Sequence, residues 1–386
     1  MKKQKLLYIL NVANKVNNFS YTSMLAAQEL GYDFHIAGNW SYASEEERLA
    51  DEQQYGIKIH QIDFIRAPYH PGNRKAYFQL KELIQREKYD VIHCNTPIGG
   101  VLGRILGKKC KVEKVIYQAH GFHFYKGAPK INWMIYYPIE KLLARYTDAL
   151  ITINQEDFEL SKNEFKLRNN GKIYYVPGVG IDTTQYKIEE KSRLAKRNEL
   201  SLNDNDVALI SMGDLIERKN YDIAIRAVAE ANNPAIHYFV CGKGPEEKNL
   251  LAIAKNLGVS EKLHFLGFRS DIKELLAASD IFLFTTKQEG LPRSMMEAMA
   301  SGLPCVASRI RGNTDLLQNV EGGYLCDIND ISTYAEKLNM LACDGELRQK
   351  MGRNNLHTIE RFSTGTVTDA IRNIYKAEIG ENVHPL

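Results

Sequence analysis

Glu289 and Glu297 stand eight positions apart in the segment E-G-L-P-R-S-M-M-E. Between them a Gly-Leu-Pro turn runs into a short helix expected over 291–301. Pro292 suits the first helical turn, because it needs no amide donor there and its φ is already helical. Gly302 and Pro304 stop the helix after about three turns. Glu289 then lies in the loop before a helix N-terminus, and Glu297 lies inside the helix. That N-terminus offers backbone N–H groups and partial positive charge, which suit a phosphate. A diphosphate with hydroxyls on both sides fits, its sugar near Glu289 and its ribose near Glu297.

Other residues suited to chemistry close apolar runs. Lys219 ends Gly213-Asp214-Leu215-Ile216-Glu217-Arg218-Lys219, just before a helix expected at 221–231. A lysine there can reach a diphosphate as a point charge, and surface solvation is the bland alternative. Arg218 is its neighbour. Cys241-Gly242-Lys243-Gly244-Pro245 joins a strand to a helix, and Gly242 either lines the phosphate site or simply makes a tight turn. His120, before Gly121 at a strand end, either hydrogen-bonds a sugar hydroxyl or sits satisfied in a core. His93 and His123 read as packing residues. Thr96, Gly99 and Gly100 end another strand and open a helix, where the paired glycines let an anion or acceptor approach the backbone.

The elements that must position these groups alternate between strand and helix. Strands are expected at 5–12, 33–38, 58–62, 91–94, 115–118 and 149–153, then at 207–212, 236–241, 263–265, 281–285 and 304–307. Helices are expected at 20–30, 73–87, 100–106 and 133–146, then at 221–231, 244–257, 270–278, 291–301 and 331–343. This alternation implies α/β architecture, with parallel sheets covered on both faces. Gly and polar residues cluster near 180–190, so two doubly wound domains are expected: 1–182, and 190–364 with a cleft between. A last helix over about 366–379 lies in a terminal segment, 365–386, that is free to cross back to the first domain.

Composition bounds the rest. At 386 residues the chain is long enough for two cores. A net charge of +3 does not imply nucleic acid, but residues 61–130 hold 13 Lys/Arg against 5 Asp/Glu. That excess is either a solvated basic face or a surface for anionic lipid or phosphate. The Tyr125-Lys126 stretch, with Lys130, Trp133, Tyr136 and Tyr137, mixes cations with interfacial aromatics. Six scattered cysteines without a C-x-x-C pair argue against a zinc ribbon and a disulfide framework. No metal site is expected, because no Asp-x-Asp pair follows a strand and no His/Cys cluster has ligand spacing. G-x-G-x-x-G follows neither first strand, which argues against nicotinamide chemistry, and no other cofactor is expected. The G-x-S-x-G elbow of serine hydrolases is missing too. No apolar run nears the roughly 20 residues of a membrane span. A cytoplasmic protein, with peripheral contact to the membrane, is the expectation.

The chain resembles the family-4 retaining glycosyltransferases of the GT-B fold. Glu289 and Glu297 look like that family's E-x7-E pair within 289–304. Phe265-Leu266-Gly267-Phe268-Arg269, Arg311-Gly312-Asn313 and Pro177-Gly178-Val179-Gly180-Ile181-Asp182 match it as well. His120-Gly121-Phe122-His123-Phe124 and Thr96-Pro97-Ile98-Gly99-Gly100 resemble bacterial capsule and exopolysaccharide transferases more narrowly. The resemblance implies two Rossmann-like domains facing across a cleft, the first binding acceptor and the second nucleotide-sugar. It implies a UDP-sugar donor, an undecaprenyl-diphosphate-linked acceptor at the inner membrane face, and transfer of an N-acetylated amino sugar such as N-acetylfucosamine.

By the same resemblance Glu289 contacts the donor sugar, while Gly290 and Leu291 offer amides to sugar and diphosphate. Glu297 binds ribose, Lys219 binds diphosphate, and His120 faces the sugar. Gly267, Phe268 and Arg269 lie by the uracil. Two departures stand out. Asp214 occupies a position where the family often has arginine, so Arg218 or another cation substitutes or Asp214 makes a different contact. Asn17-Asn18-Phe19-Ser20 replaces the family's early glycine-rich loop. Two other function classes compete with transfer: a UDP-sugar 2-epimerase on the same fold, and a non-catalytic nucleotide-sugar sensor.

Overall fold

The computed structural model describes residues 3–16, 18–67, 69–95, 97–187 and 189–380. The chain forms two compact units, Met1–Gly180 with Thr364–Leu386, and Ile181–Ser363. The first holds β1 (Lys5–Val12), β2 (Asp33–Asn39), β3 (Lys58–Gln61), β4 (Val91–Asn95), β5 (Lys114–Ala119), β6 (Ala149–Thr152) and β7 (Lys172–Tyr175). They form one sheet in the order β3-β2-β1-β4-β5-β6-β7. The second holds β8 (Val207–Met212), β9 (Ile236–Cys241), β10 (Leu263–Gly267), β11 (Ile281–Phe284), β12 (Cys305–Ser308) and β13 (Gly323–Cys326). Their order is β10-β9-β8-β11-β12-β13. All the registered pairs are parallel, as in β8 with β9 and β8 with β11.

Both sheets are doubly wound, and each changes direction once, beside β1 and β4 and beside β8 and β11. Ligands in such sheets bind outside the carboxyl ends at that point. Central strands are buried on both faces, so they read as apolar runs: all six residues of β8 and all four of β11 are buried.

Several elements escaped the sequence pattern. Strands β7 and β13 are four-residue edges. The helices Gln155–Glu164, Glu190–Glu199 and Gly345–Ile359 were not expected, nor was Glu45–Tyr55, which has no buried residue. The helix after Glu289 is also shorter than expected. It spans Arg293–Ala300, and Pro292 is its N-cap with ψ 115° rather than its first helical residue. The proline ring fixes φ but leaves ψ extended, so two turns form instead of three.

Helix Thr364–Ile379 packs into the first unit. Val367, Ile371, Ile374 and Tyr375 join a core with Tyr8, Met24 and Tyr32. The Tyr375 hydroxyl lies 2.5 Å from His93 Nδ1, and the Tyr32 hydroxyl donates to the Ile379 carbonyl at 2.7 Å. In the same unit Arg104 is 1% exposed. It lies on the helix Ile98–Lys109 and reaches the helix Lys130–Ala144. Its guanidinium donates to Glu140 Oε2 at 2.7 Å and covers the Tyr117 ring at 3.7 Å. Tyr117 donates to the other Glu140 oxygen at 2.9 Å.

Burial pushes four imidazoles of this unit down: His93 to about 3, His60 and His120 to about 4, and His35 below its ordinary value. In the unfolded chain they titrate near 6.5. Between pH 6.5 and 4 the unfolded chain therefore binds more protons, so stability falls on acidification. The melting temperature of the first unit is expected to drop through that window. His93→Gln should flatten the drop, and an unchanged slope would show that His93 is not buried neutral.

Candidate active site

The carboxyl edge of the second sheet gathers the residues of interest. After β8 the chain turns at Gly213, whose φ is 146°, and runs to Lys219. A Cβ at Gly213 would lie 3.2 Å from Lys219 Cε, so the glycine makes room for the lysine stem. Asn220 takes the left-handed conformation, φ 58°, and starts the helix Tyr221–Ala231. After β11 the chain continues as Thr285-Thr286 and reaches Glu289.

Polar contacts staple these two loops together. Thr285 Oγ1 donates to the Asn220 carbonyl at 2.9 Å, and Asn220 Nδ2 donates back to the Thr285 carbonyl at 3.2 Å. The Lys287 amide donates to the Arg218 carbonyl at 2.9 Å. The result is convergence on one atom. Glu289 Oε1 accepts from Lys219 Nζ at 2.8 Å, Arg218 at 2.9 Å and Thr286 Oγ1 at 3.0 Å. Glu289 and Lys219 side chains are 13% and 12% exposed, whereas Arg218 is 40% exposed. Arg311 Nε donates to the Glu289 carbonyl at 3.1 Å. Gly312, φ 83°, packs beneath it, since a Cβ there would meet the Gly290 carbonyl at 2.6 Å. Two cations thus meet one carboxylate, and a third holds its backbone carbonyl, where Gly290 and Leu291 lead into the helix Arg293–Ala300. The local charge is positive, which suits a phosphate.

Glu297 lies apart from that cluster. It accepts from Arg293 Nε at 2.8 Å and hydrogen-bonds the Tyr186 hydroxyl. Gly242 and Gly267 continue the edge beside Gly213. The Gly242 amide donates to the Gly267 carbonyl at 2.8 Å, and a Cβ on Gly242 would lie 1.9 Å from the Gly213 carbonyl. A tight turn therefore accounts for Gly242. Phe268 is 78% exposed at the end of β10. The Arg269 guanidinium is committed to Asp271 at 2.7 Å and Glu199 at 2.9 Å, which raises its pKa. Asp214 is exposed, and Arg218 is the cation that stands at the carboxylate.

The remaining candidates belong to the first unit. His120 is half-buried at the end of β5, and its Nε2 lies 2.8 Å from Asn95 Oδ1. Asn95 Nδ2 donates to the Ile9 carbonyl at 3.1 Å, which fixes the amide orientation. His120 therefore carries its proton on Nε2, and burial keeps the ring neutral. Gly99 and Gly100 are buried. The Gly99 amide already donates to Asn11 Oδ1 at 2.7 Å, and a Cβ on Gly100 would meet the Tyr117 ring at 2.6 Å. Packing of the helix on the sheet, rather than room for an anion, accounts for both glycines. Thr96 lies outside the described residues. Among the described residues no group of three or more His, Cys, Asp or Glu is placed to hold a metal ion.

Thr286, Arg311, Tyr186 and Asn95 escaped the sequence reading. Thr286 had a signal, because a polar pair directly follows an apolar strand. Arg311 lay in a matched segment without a role. Tyr186 and Asn95 had none, since their partners are distant in sequence.

Two family models match the chain: "Glycosyl transferases group 1" over residues 192–358 and "Glycosyl transferase 4-like" over residues 5–154. A putative glycosyltransferase of Bacillus subtilis, EpsD, is 32% identical, with 97% of each chain covered. An Escherichia coli UDP-Gal:alpha-D-GlcNAc-diphosphoundecaprenol alpha-1,3-galactosyltransferase is 30% identical, covering 78% of this chain and 79% of the relative. The crystal structure of Anabaena HepE in complex with UDP shares the fold, with TM-score 0.78 and 20% identity over 97% of this chain and 100% of the other.

Proposed function

The chain belongs to the group 1 glycosyl transferases, and on that premise we propose that it transfers a hexosyl group, with retention, from a UDP-sugar to an undecaprenyl-diphosphate-linked sugar. The product feeds capsular polysaccharide synthesis at the inner face of the membrane. The observation that carries this reading is the convergence of Lys219, Arg218 and Thr286 on Glu289 beside a helix N-terminus.

In this reading an incoming diphosphate takes up Lys219 and Arg218, with the amides near Gly290 and Leu291. Glu289, released from part of its pairing, accepts hydroxyls of the donor sugar. Glu297 exchanges Arg293 or Tyr186 for ribose. Gly267, Phe268 and the Arg269 backbone border the uracil. His120 contacts the transferred sugar. The acceptor hydroxyl attacks the anomeric carbon on the face from which UDP departs. Its proton passes to the leaving phosphate oxygen as the new C–O bond forms and the old one breaks. Lys219 and the helix N-terminus stabilise the charge that grows on the diphosphate. This route needs no carboxylate nucleophile, the other course open to retaining chemistry.

The E. coli relative's name supports the nucleotide and the lipid-linked acceptor. An N-acetylated amino sugar, N-acetylfucosamine among them, heads the donors to test. Purified protein should transfer sugar from one UDP-sugar to a short-chain polyprenyl-diphosphate sugar, with an α-linked product by NMR. Conversion of the UDP-sugar without acceptor, or transfer from no donor, would overturn the assignment.

A further inference from the structure

The helix Lys130–Ala144 has two apolar faces. The inner one is well packed. Trp133 and Tyr137 each meet Phe124 with ring centroids 5.5 Å apart, and Leu143 and Ala144 are buried. Glu140 on the same face reaches Arg104. The other face looks into water. Met134 is 73% exposed, Ile131 54%, Leu142 53% and Ile139 39%. Positions 131, 134, 138 and 142 recur at helical spacing and line up as one stripe. A helix on a water-facing surface ordinarily carries charge there.

Cations mark both ends of the stripe. Lys126 and Lys130 stand exposed at its start, and Lys141 and Arg145 at its finish. Lys141 pairs with Glu164 at 3.1 Å, and Glu156 accepts the Lys126 backbone amide, so Lys130 and Arg145 carry most of the uncompensated charge. Lys108 adds to the far end, over the Tyr146 ring at 3.8 Å. Trp133, Tyr136 and Tyr137 lie half-buried alongside, where amphipathic rings favour a boundary between oil and water.

We propose that this outward stripe, with its basic ends, docks the chain on an anionic lipid surface. Ile131, Met134 and Leu142 would enter the acyl boundary, and Lys130 and Arg145 would meet headgroup phosphates. A second copy is a poorer occupant. Antiparallel pairing of two such helices sets the basic end of one against the basic end of the other, and like charges there repel. Among the described residues no helix is long and apolar enough to cross a membrane, so contact from one side is the form docking takes.

The inference deepens the lipid-linked reading above. Vesicle binding is measured without sugar transfer, so the two fail separately. The full-length chain should float with vesicles of phosphatidylglycerol and phosphatidylethanolamine at low salt. Binding to phosphatidylcholine alone should be weaker, and high salt should weaken the anionic binding. Met134→Asp with Leu142→Asp should lower the bound-to-free ratio at least about tenfold, with the thermal melt unchanged. Lys130→Glu with Arg145→Glu should remove most of the salt dependence. Unchanged flotation of both double variants would overturn the proposal. So would a parent that binds no vesicles but forms dimers lost in Met134→Asp.

Discussion

Glu289→Ala is expected to lower kcat by about 10²- to 10³-fold, the usual cost of losing one group that acts on the transition state. The cause is specific to this carboxylate. One oxygen holds two cations and a hydroxyl in place, so the loops after β8 and β11 share a single electrostatic anchor. Removing it frees Lys219 and Arg218 for a diphosphate, so donor nucleotide should bind as well as before or better. A loss in kcat with KM held or lowered separates a role in transfer from a role in binding. Glu289→Gln keeps an acceptor for Thr286 but loses the charge, and should fall between. The melting temperature should move by only a few degrees, because Arg218 already meets water. Steady-state kinetics beside a thermal melt read both quantities. Full turnover in Glu289→Ala would remove this residue from the mechanism.

Arg104→Met should have the largest effect on stability, a loss of about 3–5 kcal/mol from the first unit. The substitution leaves Glu140 facing Tyr117 with no cation, in a place the chain keeps from water. The double variant Arg104→Met with Glu140→Leu removes both charges and should recover most of the loss. Chemical denaturation of parent, both single variants and the double variant closes the cycle. Equal losses in the double and in Arg104→Met would mean that the pair is not the cause. The pair also sets the helix Lys130–Ala144 in place, so vesicle binding by Arg104→Met should weaken along with stability.

Much of this fold was legible in the amino-acid sequence because buried parallel strands are apolar throughout. The runs at Lys5–Val12, Val207–Met212 and Ile236–Cys241 match the observed strands at both ends. Helices with one apolar face, such as Tyr221–Ala231 and Ile331–Cys343, match equally well. Glu45–Tyr55 was missed for the opposite reason. It buries nothing, so hydrophobic spacing is silent, and only its ends speak: Ser44 and Glu47 form a capping box and Gly56 closes the helix at φ 62°. Edge strands such as Lys172–Tyr175 are too short to show a period.

At the site the division is similar. Glu289, Lys219 and Arg218 were legible as charges at loop ends, and the structure brings both cations within 3 Å of the Glu289 carboxylate. Their link through Thr286 depends on two loops from different strands, which spacing along one loop does not reveal. The glycines show how spacing alone hides close packing. Gly99 and Gly100 suggested an open backbone but are filled from the other side by a neighbouring chain segment, and at Gly242, read as either phosphate lining or a tight turn, the Gly213 carbonyl fills the space too.

The helix Thr364–Ile379 has a consequence for synthesis. Residues of the second unit form one continuous stretch, so they can fold as soon as they leave the ribosome. The first unit begins earlier but finishes last. His93 waits 282 positions for Tyr375, its partner in the core. Until the final helix emerges, Tyr8, Met24 and Tyr32 lack part of their cover. The nascent chain thus carries an unfinished first half while its second half matures. Loss of the helix Thr364–Ile379 would strike the unit that was begun first.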